Sequence, residues 1–225
     1  MDFGSAFSFA FQDQDWLKKI GIAALVFLIP VVGPIILMGW GLEITRRVIN
    51  NDPVPLPGWD DFGSFLSKGF QMFVVTLAFV LPLILVISCG QGLTFGLVAS
   101  TGRSSNSDTM GSIAAVISLC MSCFAILLGL VAGFILPAAQ GRLAATGELG
   151  AAFRFNELLA LLRAAPGPYL MVILGVALAS MVLSSVGTLI CGVGLLFTSA
   201  YTTALSGHLA GQAYNVAQKA RAGSV

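Results

Sequence analysis

His208 is the only histidine in the chain, and Cys120 and Cys123 form its one C-x-x-C spacing. A lone imidazole is enough to ligate a five-coordinate haem or a chlorophyll. The competing reading of His208 is a helix-end residue hydrogen-bonded to a neighbour. A C-x-x-C pair fits metal or redox work, but a closed zinc site needs four ligands. No second cysteine pair or nearby histidine supplies them, because Cys89 and Cys191 stand alone in or beside apolar runs. There a thiol behaves as a small apolar group. Glu43 lies close to Arg46 and Arg47, at the i, i+3 and i, i+4 spacings of ordinary helix-surface pairs. Hydrolysis inside a membrane would need an acid pair, a metal triad or a nucleophile with its base, and no His/Asp/Glu cluster offers one. The expectation is a protein without enzymatic activity, with no metal site, no required cofactor, and His208 as its single candidate cofactor ligand.

The elements that must position these residues are membrane helices. The 225-residue chain is 57% hydrophobic and 9% charged, against roughly a quarter charged in an average soluble domain. Its mean hydropathy is +0.94. A helix needs about 20 apolar residues to cross the hydrocarbon. Runs at 71–100, 111–137, 169–190 and 192–210 meet that length. They are continuous rather than alternating, so they predict helices and not barrel strands. The segment 20–41 carries Pro30-Val-Val-Gly-Pro34 at its middle, which breaks a helix. The positive-inside rule favours a folded-back hairpin there. With a hairpin, every Lys and Arg except Arg103 falls on one side; with a single span, Lys18 and Lys19 join Arg103 on the other. The fold expected is therefore all-α and polytopic: four full spans plus an N-terminal broken hairpin, in a plasma membrane, with both termini cytoplasmic. The polar loop 100–112 and the Gly-rich turn at Cys191, Gly192 and Gly194 then face outward. No cleavable signal is apparent, so Met1 is read as the mature N-terminus. The net charge of +1 recruits no nucleic acid. The partners expected are the lipid bilayer and other membrane subunits.

Three stretches have the composition of amphipathic helices lying in the headgroup layer. Phe7 and Phe11 with Trp16 mark the first, Trp59 and Phe62 the second, and Phe155 the third, with Tyr169 as an interfacial anchor for the span that follows. A weak pattern, G-x-A-F-x-F, relates Gly4–Phe9 to Gly150–Phe155. It divides one membrane domain, 1–225, into units near 3–50, 58–141 and 148–220, with a short tail after 220. Three G-x-x-x-G pairs, Gly92/Gly96, Gly129/Gly133 and Gly207/Gly211, predict close helix packing. Gln91, Thr94, Ser118, Ser122 and the hydroxyls of the last helix are polar groups that hold helices together or line a path for a neutral solute.

Asp15-Trp-Leu-Lys18, Ile29-Pro-Val-Val-Gly-Pro34 leading to Gly39-Trp-Gly41, Leu56-Pro-Gly-Trp-Asp-Asp61, and the segment from Arg142 to Phe155 occur in an order that resembles the integral-membrane family DUF4013. The closing segment Gly207–Tyr214 is similar as well. The resemblance implies the polytopic fold over nearly the whole chain and implies no activity and no catalytic residue. On these residues the expected role is a scaffold or accessory subunit. A carrier or channel for a lipid or small neutral solute is the alternative, and pigment or haem binding through His208 a second one.

Overall fold

The computed structural model describes residues 3–101, 107–189 and 193–223. Arg103, Cys191 and Gly192, and with them the centres of both expected outward turns, lie outside the described residues. Among the described residues the chain is helical with no strand. The elements are α1 (Phe3–Ser8), a 3-10 turn (Phe9–Gln12), α2 (Trp16–Phe27), α3 (Val32–Ile49), α4 (Phe62–Thr101), α5 (Ser107–Thr146), a second 3-10 turn (Leu149–Phe153), α6 (Phe155–Ala164), α7 (Pro166–Leu189) and α8 (Val193–Ala222).

Among the described residues, three helices are long and apolar enough to cross a membrane: Phe62–Leu97, Gly111–Thr146 and Pro166–Ser185. The described part of the run at 192–210, from Val193, opens α8 and is not among them, because its serines, threonines, Tyr201 and His208 dilute its hydropathy. The helix is instead enclosed by protein along much of its length. Its face from Ala200 to Ala217 is largely buried by neighbouring helices. Those neighbours include α1, α2, α3, α6 and α7, and α5 at Gly141 against Tyr214.

Residues 20–41 fold back. Leu28 to Val31 form the turn, closed by Gly33 N–H donating to the Ile29 carbonyl at 2.9 Å. A Cβ on Gly33 would overlap the Val26 carbonyl oxygen, so only glycine lets the two arms start this close. Val31 adopts φ 66, a left-handed conformation that is unfavourable for a β-branched residue. Trp59 records the result: its Nε1 donates to the Lys19 carbonyl at 2.8 Å, and its ring stacks on Trp40 at 5.5 Å. In one continuous helix Lys19 and Trp40 would stand about 30 Å apart. They meet the same indole because they lie at similar distances on either side of the turn.

The chain forms two compact units, Met1–Val75 with Phe134–Val225, and Thr76–Gly133. The first holds the core: Phe9, Ala10, Ile20, Ala23 and Ala24 meet Ile36, Leu37, Trp40 and Ile44, with Leu56, Trp59, Phe65, Ala200 and Ala204. The second comprises the far halves of α4 and α5. In their most apolar windows α4 and α5 are only 11% and 6% buried, as expected for side chains surrounded by acyl chains.

One expected interfacial helix does not form as a separate element. From Phe62 the chain runs without a break into α4, whose N-terminus is capped by Asp61 Oδ1 accepting from Ser64 N–H at 3.0 Å. The paired G-x-A-F-x-F segments also fold differently. The first lies in α1 and opens the following 3-10 turn, whereas the second forms a 3-10 turn that hands over to α6.

Glycine sets the closest crossing of α3 and α4. A Cβ on Gly39 would overlap the Phe65 carbonyl oxygen, and one on Gly69 the Ile35 carbonyl oxygen. Gly39→Ala is expected to destabilise the folded protein by about 1–3 kcal/mol, since backbone cannot yield as a side chain does. Gly92→Ala, where a Cβ meets nothing within 4 Å, should leave stability unchanged. Thermal unfolding of the two purified variants in one detergent checks the contrast.

Candidate functional site: the polar crossing of α3, α5 and α8

Thr45 is fully buried on α3 and joins three helices. Its hydroxyl donates to the Gly41 carbonyl of its own helix at 3.0 Å and to the Gly207 carbonyl of α8 at 2.9 Å. It accepts from Gln140 Nε2 of α5 at 2.8 Å. The O–H is shared between two carbonyls while a lone pair takes the amide donor, so the hydroxyl both gives and accepts at this node. The node exists because α8 lies close enough for a Gly207 Cβ to sit 2.5 Å from the Gly41 oxygen. A turn later, a Gly211 Cβ would lie 2.8 Å from the Val48 side chain and 2.9 Å from the Thr45 backbone carbonyl oxygen. Asn215 then donates to the Val48 and Ile49 carbonyls at 3.1 and 3.4 Å. Those carbonyls lie in the last turn of α3, where helix geometry leaves acceptors unpaired.

His208 sits one residue beyond this contact. Its ring stacks on Phe9 at 4.2 Å with an 18° interplanar angle, and Gln212 Nε2 lies 3.4 Å from its Nδ1. It faces an open cleft of about 360 Å³ shared with Asp52, Gln212, Asn215 and Lys219. Among the described residues no group of three or more His, Cys, Asp or Glu side chains is placed to hold a metal ion. Cys89, Cys120 and Cys123 are free thiols on exposed faces.

The N-terminal aromatic stretch docks on the bundle. Tyr201 Oη donates to the Phe7 carbonyl at 2.6 Å. Phe7 and Phe11 line an apolar groove of about 360 Å³ with Leu178, Ala179, Val182 and Leu183. These α7 residues are twelve or more positions from its start at Pro166, so the stretch lies against the middle of α7 and not at its end. Trp16 is half-buried, Trp59 buried, and Phe62 and Phe155 exposed. Tyr169 is wholly buried, and its Oη has no hydrogen-bond partner among the described residues. Of the small-residue pairs, Gly207 and Gly211 lie at the α3 contact. Gly92 and Gly96 face open space, Gly129 meets only Leu83 at 4.0 Å, and Gly133 is half-buried. In the second unit Gln91, Thr94, Ser118 and Ser122 line one cavity of about 290 Å³.

Thr45, Gln140, Asn215, Gly69 and Gly141 belong to no motif that singles them out in the sequence. Thr45 and Gln140 are isolated polar residues near charged helix ends. Their only signal is adjacency to Glu43 or Gly141, which is too weak to choose them. Gly141 matters because its Cβ would lie 2.7 Å from the Tyr214 ring.

Thr45→Val takes the acceptor from the Gln140 amide and breaks the bond that ties α3 to the Gly207 carbonyl of α8. The expected loss is about 1–2 kcal/mol, with Thr45→Ser retaining most of it; reversible unfolding of the purified variants measures both. At the N-terminus, Lys19 Nζ contacts Asp13 Oδ2 at 2.6 Å and donates to the Leu56 carbonyl at 2.9 Å. Burial acts to raise the Asp13 carboxyl, but the Lys19 ammonium and the Asp15 N–H together bring it below its ordinary value of 3.8. A depressed carboxylate stabilises the fold above that value, and the contribution is lost as pH falls through the folded-state value. Tryptophan emission followed into that acid range should show the N-terminal stretch loosening, and Asp13→Asn should remove the pH-dependent step.

One comparison bears on the family to which the chain belongs. The model of a family described as a protein of unknown function, DUF4013, matches residues 22–192, from within α2 to the residue before α8. No curated protein and no solved structure matches the chain. With most of its length matched, from the broken hairpin through α7, the chain belongs to the DUF4013 family.

Proposed function

We propose that the protein is a non-catalytic integral membrane subunit, a scaffold or accessory component of a larger assembly in the plasma membrane. In this reading α8 is a fourth span, the α2–α3 hairpin is re-entrant and both termini are cytoplasmic. Charge supports that orientation: Arg46, Arg47 and Lys68 gather around Glu43 at one end of the first unit, where the positive-inside rule puts the cytoplasm. The observation that carries the subunit role is the bareness of α4 and α5, 11% and 6% buried, combined with the open space beside Gly92 and Gly96. Small residues on an uncovered membrane helix let a second helix approach closely. Extraction in mild detergent followed by mass spectrometry should retain a stoichiometric membrane partner, lost on Gly92→Ile with Gly96→Ile while the chain still inserts. A lone chain in both samples overturns the role.

The cavity at Gln91, Thr94, Ser118 and Ser122 favours a second reading, a carrier for a small neutral solute. Thr94 Oγ1 and Ser122 Oγ spend their protons on carbonyls of their own helices, which leaves oxygen lone pairs facing the cavity. Glycerol flux into liposomes holding the protein, reduced by Gln91→Leu, would support this reading, and flux equal to that of empty liposomes removes it. An absorption spectrum of the same preparation tests His208 as a haem or pigment ligand.

A further inference from the structure

We infer that the cleft at the shared ends of α3, α4 and α5 binds the phosphate of a phospholipid headgroup; this rests on the membrane reading but not on any subunit role. The cleft holds about 340 Å³ and is lined by Glu43 and Arg46 of α3, by Ser67, Lys68 and Gln71 of α4, and by the end of α5 from Leu143 to Gly147. Helical spacing places Ser67, Lys68 and Gln71 on one face of α4.

Its charge is unbalanced. Glu43 is the single acid, and Lys68 Nζ takes its Oε2 at 2.7 Å. Arg46 and Arg47 stand 3.8 and 3.6 Å from the same carboxylate, beyond hydrogen-bonding distance. Arg47 spends a donor on the Val54 carbonyl. The Arg46 side chain is 55% exposed and donates no hydrogen bond among the described residues, so its planar fork is available to a phosphate.

The depth matches a headgroup. The candidate spans Phe62–Leu97 and Gly111–Thr146 are 36 residues each, or about 54 Å, against about 30 Å of hydrocarbon. Their ends therefore project roughly 12 Å beyond it on each side. Lys68, six residues into α4, and Thr146, at the end of α5, lie within that projection. The carbonyl end of α5 repels a bare anion but accepts from the hydroxyl or ammonium group of a headgroup. A phosphodiester carrying such a donor satisfies both walls, and inorganic phosphate satisfies one.

The test uses the purified full chain in dodecyl maltoside, titrated with phosphatidylglycerol, with diacylglycerol and with inorganic phosphate, and read by native mass spectrometry. Phosphatidylglycerol should bind, and Arg46→Gln with Lys68→Gln should weaken it about tenfold or more. Arg163→Gln, at an exposed cation elsewhere, should not. Glu43→Gln keeps the cations and should bind at least as well as the unaltered chain. If the double variant does not fold, Arg46→Gln alone carries the comparison, since that side chain is exposed. Displacement of the lipid by inorganic phosphate would make a free anion the ligand and overturn the headgroup assignment. Equal binding by diacylglycerol, or no loss in the variants, would overturn the site itself.

Discussion

Lipid offers helices little reason to associate, because acyl chains solvate leucine as well as another leucine does. What remains is close contact and the pairing of polar groups, and both concentrate where α3 runs beside α8. Gly41, Gly207 and Gly211 remove the side chains that would separate the two backbones. Their absence brings the Gly207 carbonyl within reach of Thr45, and Thr45 in turn holds Gln140 of α5. The hydrogen bonds at this node depend on the glycines, since a methyl group at Gly207 would push against the Gly41 oxygen before Thr45 could bridge the gap.

The same contact accounts for the unusual composition of α8. A helix facing lipid on all sides must be apolar throughout, whereas one enclosed by neighbours need only pair its polar groups. Tyr201 donates to Phe7, Asn215 to the last turn of α3 and Gln218 to Tyr214. Ser199 and Thr203 bond back to their own helix. Packing brings the partners of Tyr201 and Asn215, and the helix itself supplies those of Gln218, Ser199 and Thr203, so α8 can carry hydroxyls and amides that would be costly in hydrocarbon.

The α2–α3 hairpin plays a different part. Its turn admits Gly33 against the Val26 carbonyl and holds Val31 at an unfavourable angle. Packing further down the arms offsets this, through Trp40 stacked on Trp59 and Trp40 Nε1 donating to the Pro57 carbonyl. The loop after α3 thereby becomes a clasp across both arms. It also delivers the chain to the start of α4, which leads Lys68 toward Glu43.

Much of this architecture was legible in the chain itself. Long apolar runs must become helices, because unpaired backbone is intolerable in lipid. Pro30, Gly33 and Pro34 break one of those runs, and the placement of Lys18 and Lys19 with the remaining cations selects the hairpin. These are local or one-dimensional signals, so sequence alone determined them. The reading failed where the outcome depended on what lies alongside. Residues 59–70 have the composition of a separate surface helix, yet nothing after Phe62 breaks the backbone of α4, and the spacing of the G-x-x-x-G pairs does not tell which of them faces a neighbour. Only the tertiary structure decided that Gly207 and Gly211 meet α3 while Gly92 and Gly96 meet nothing. Likewise, only the fold showed that Thr45, Gln140 and the Gly207 carbonyl, far apart in sequence, share one hydrogen-bonded node. The physical reason is that spacing along one helix defines a face, but what that face touches is set by helices elsewhere in the chain.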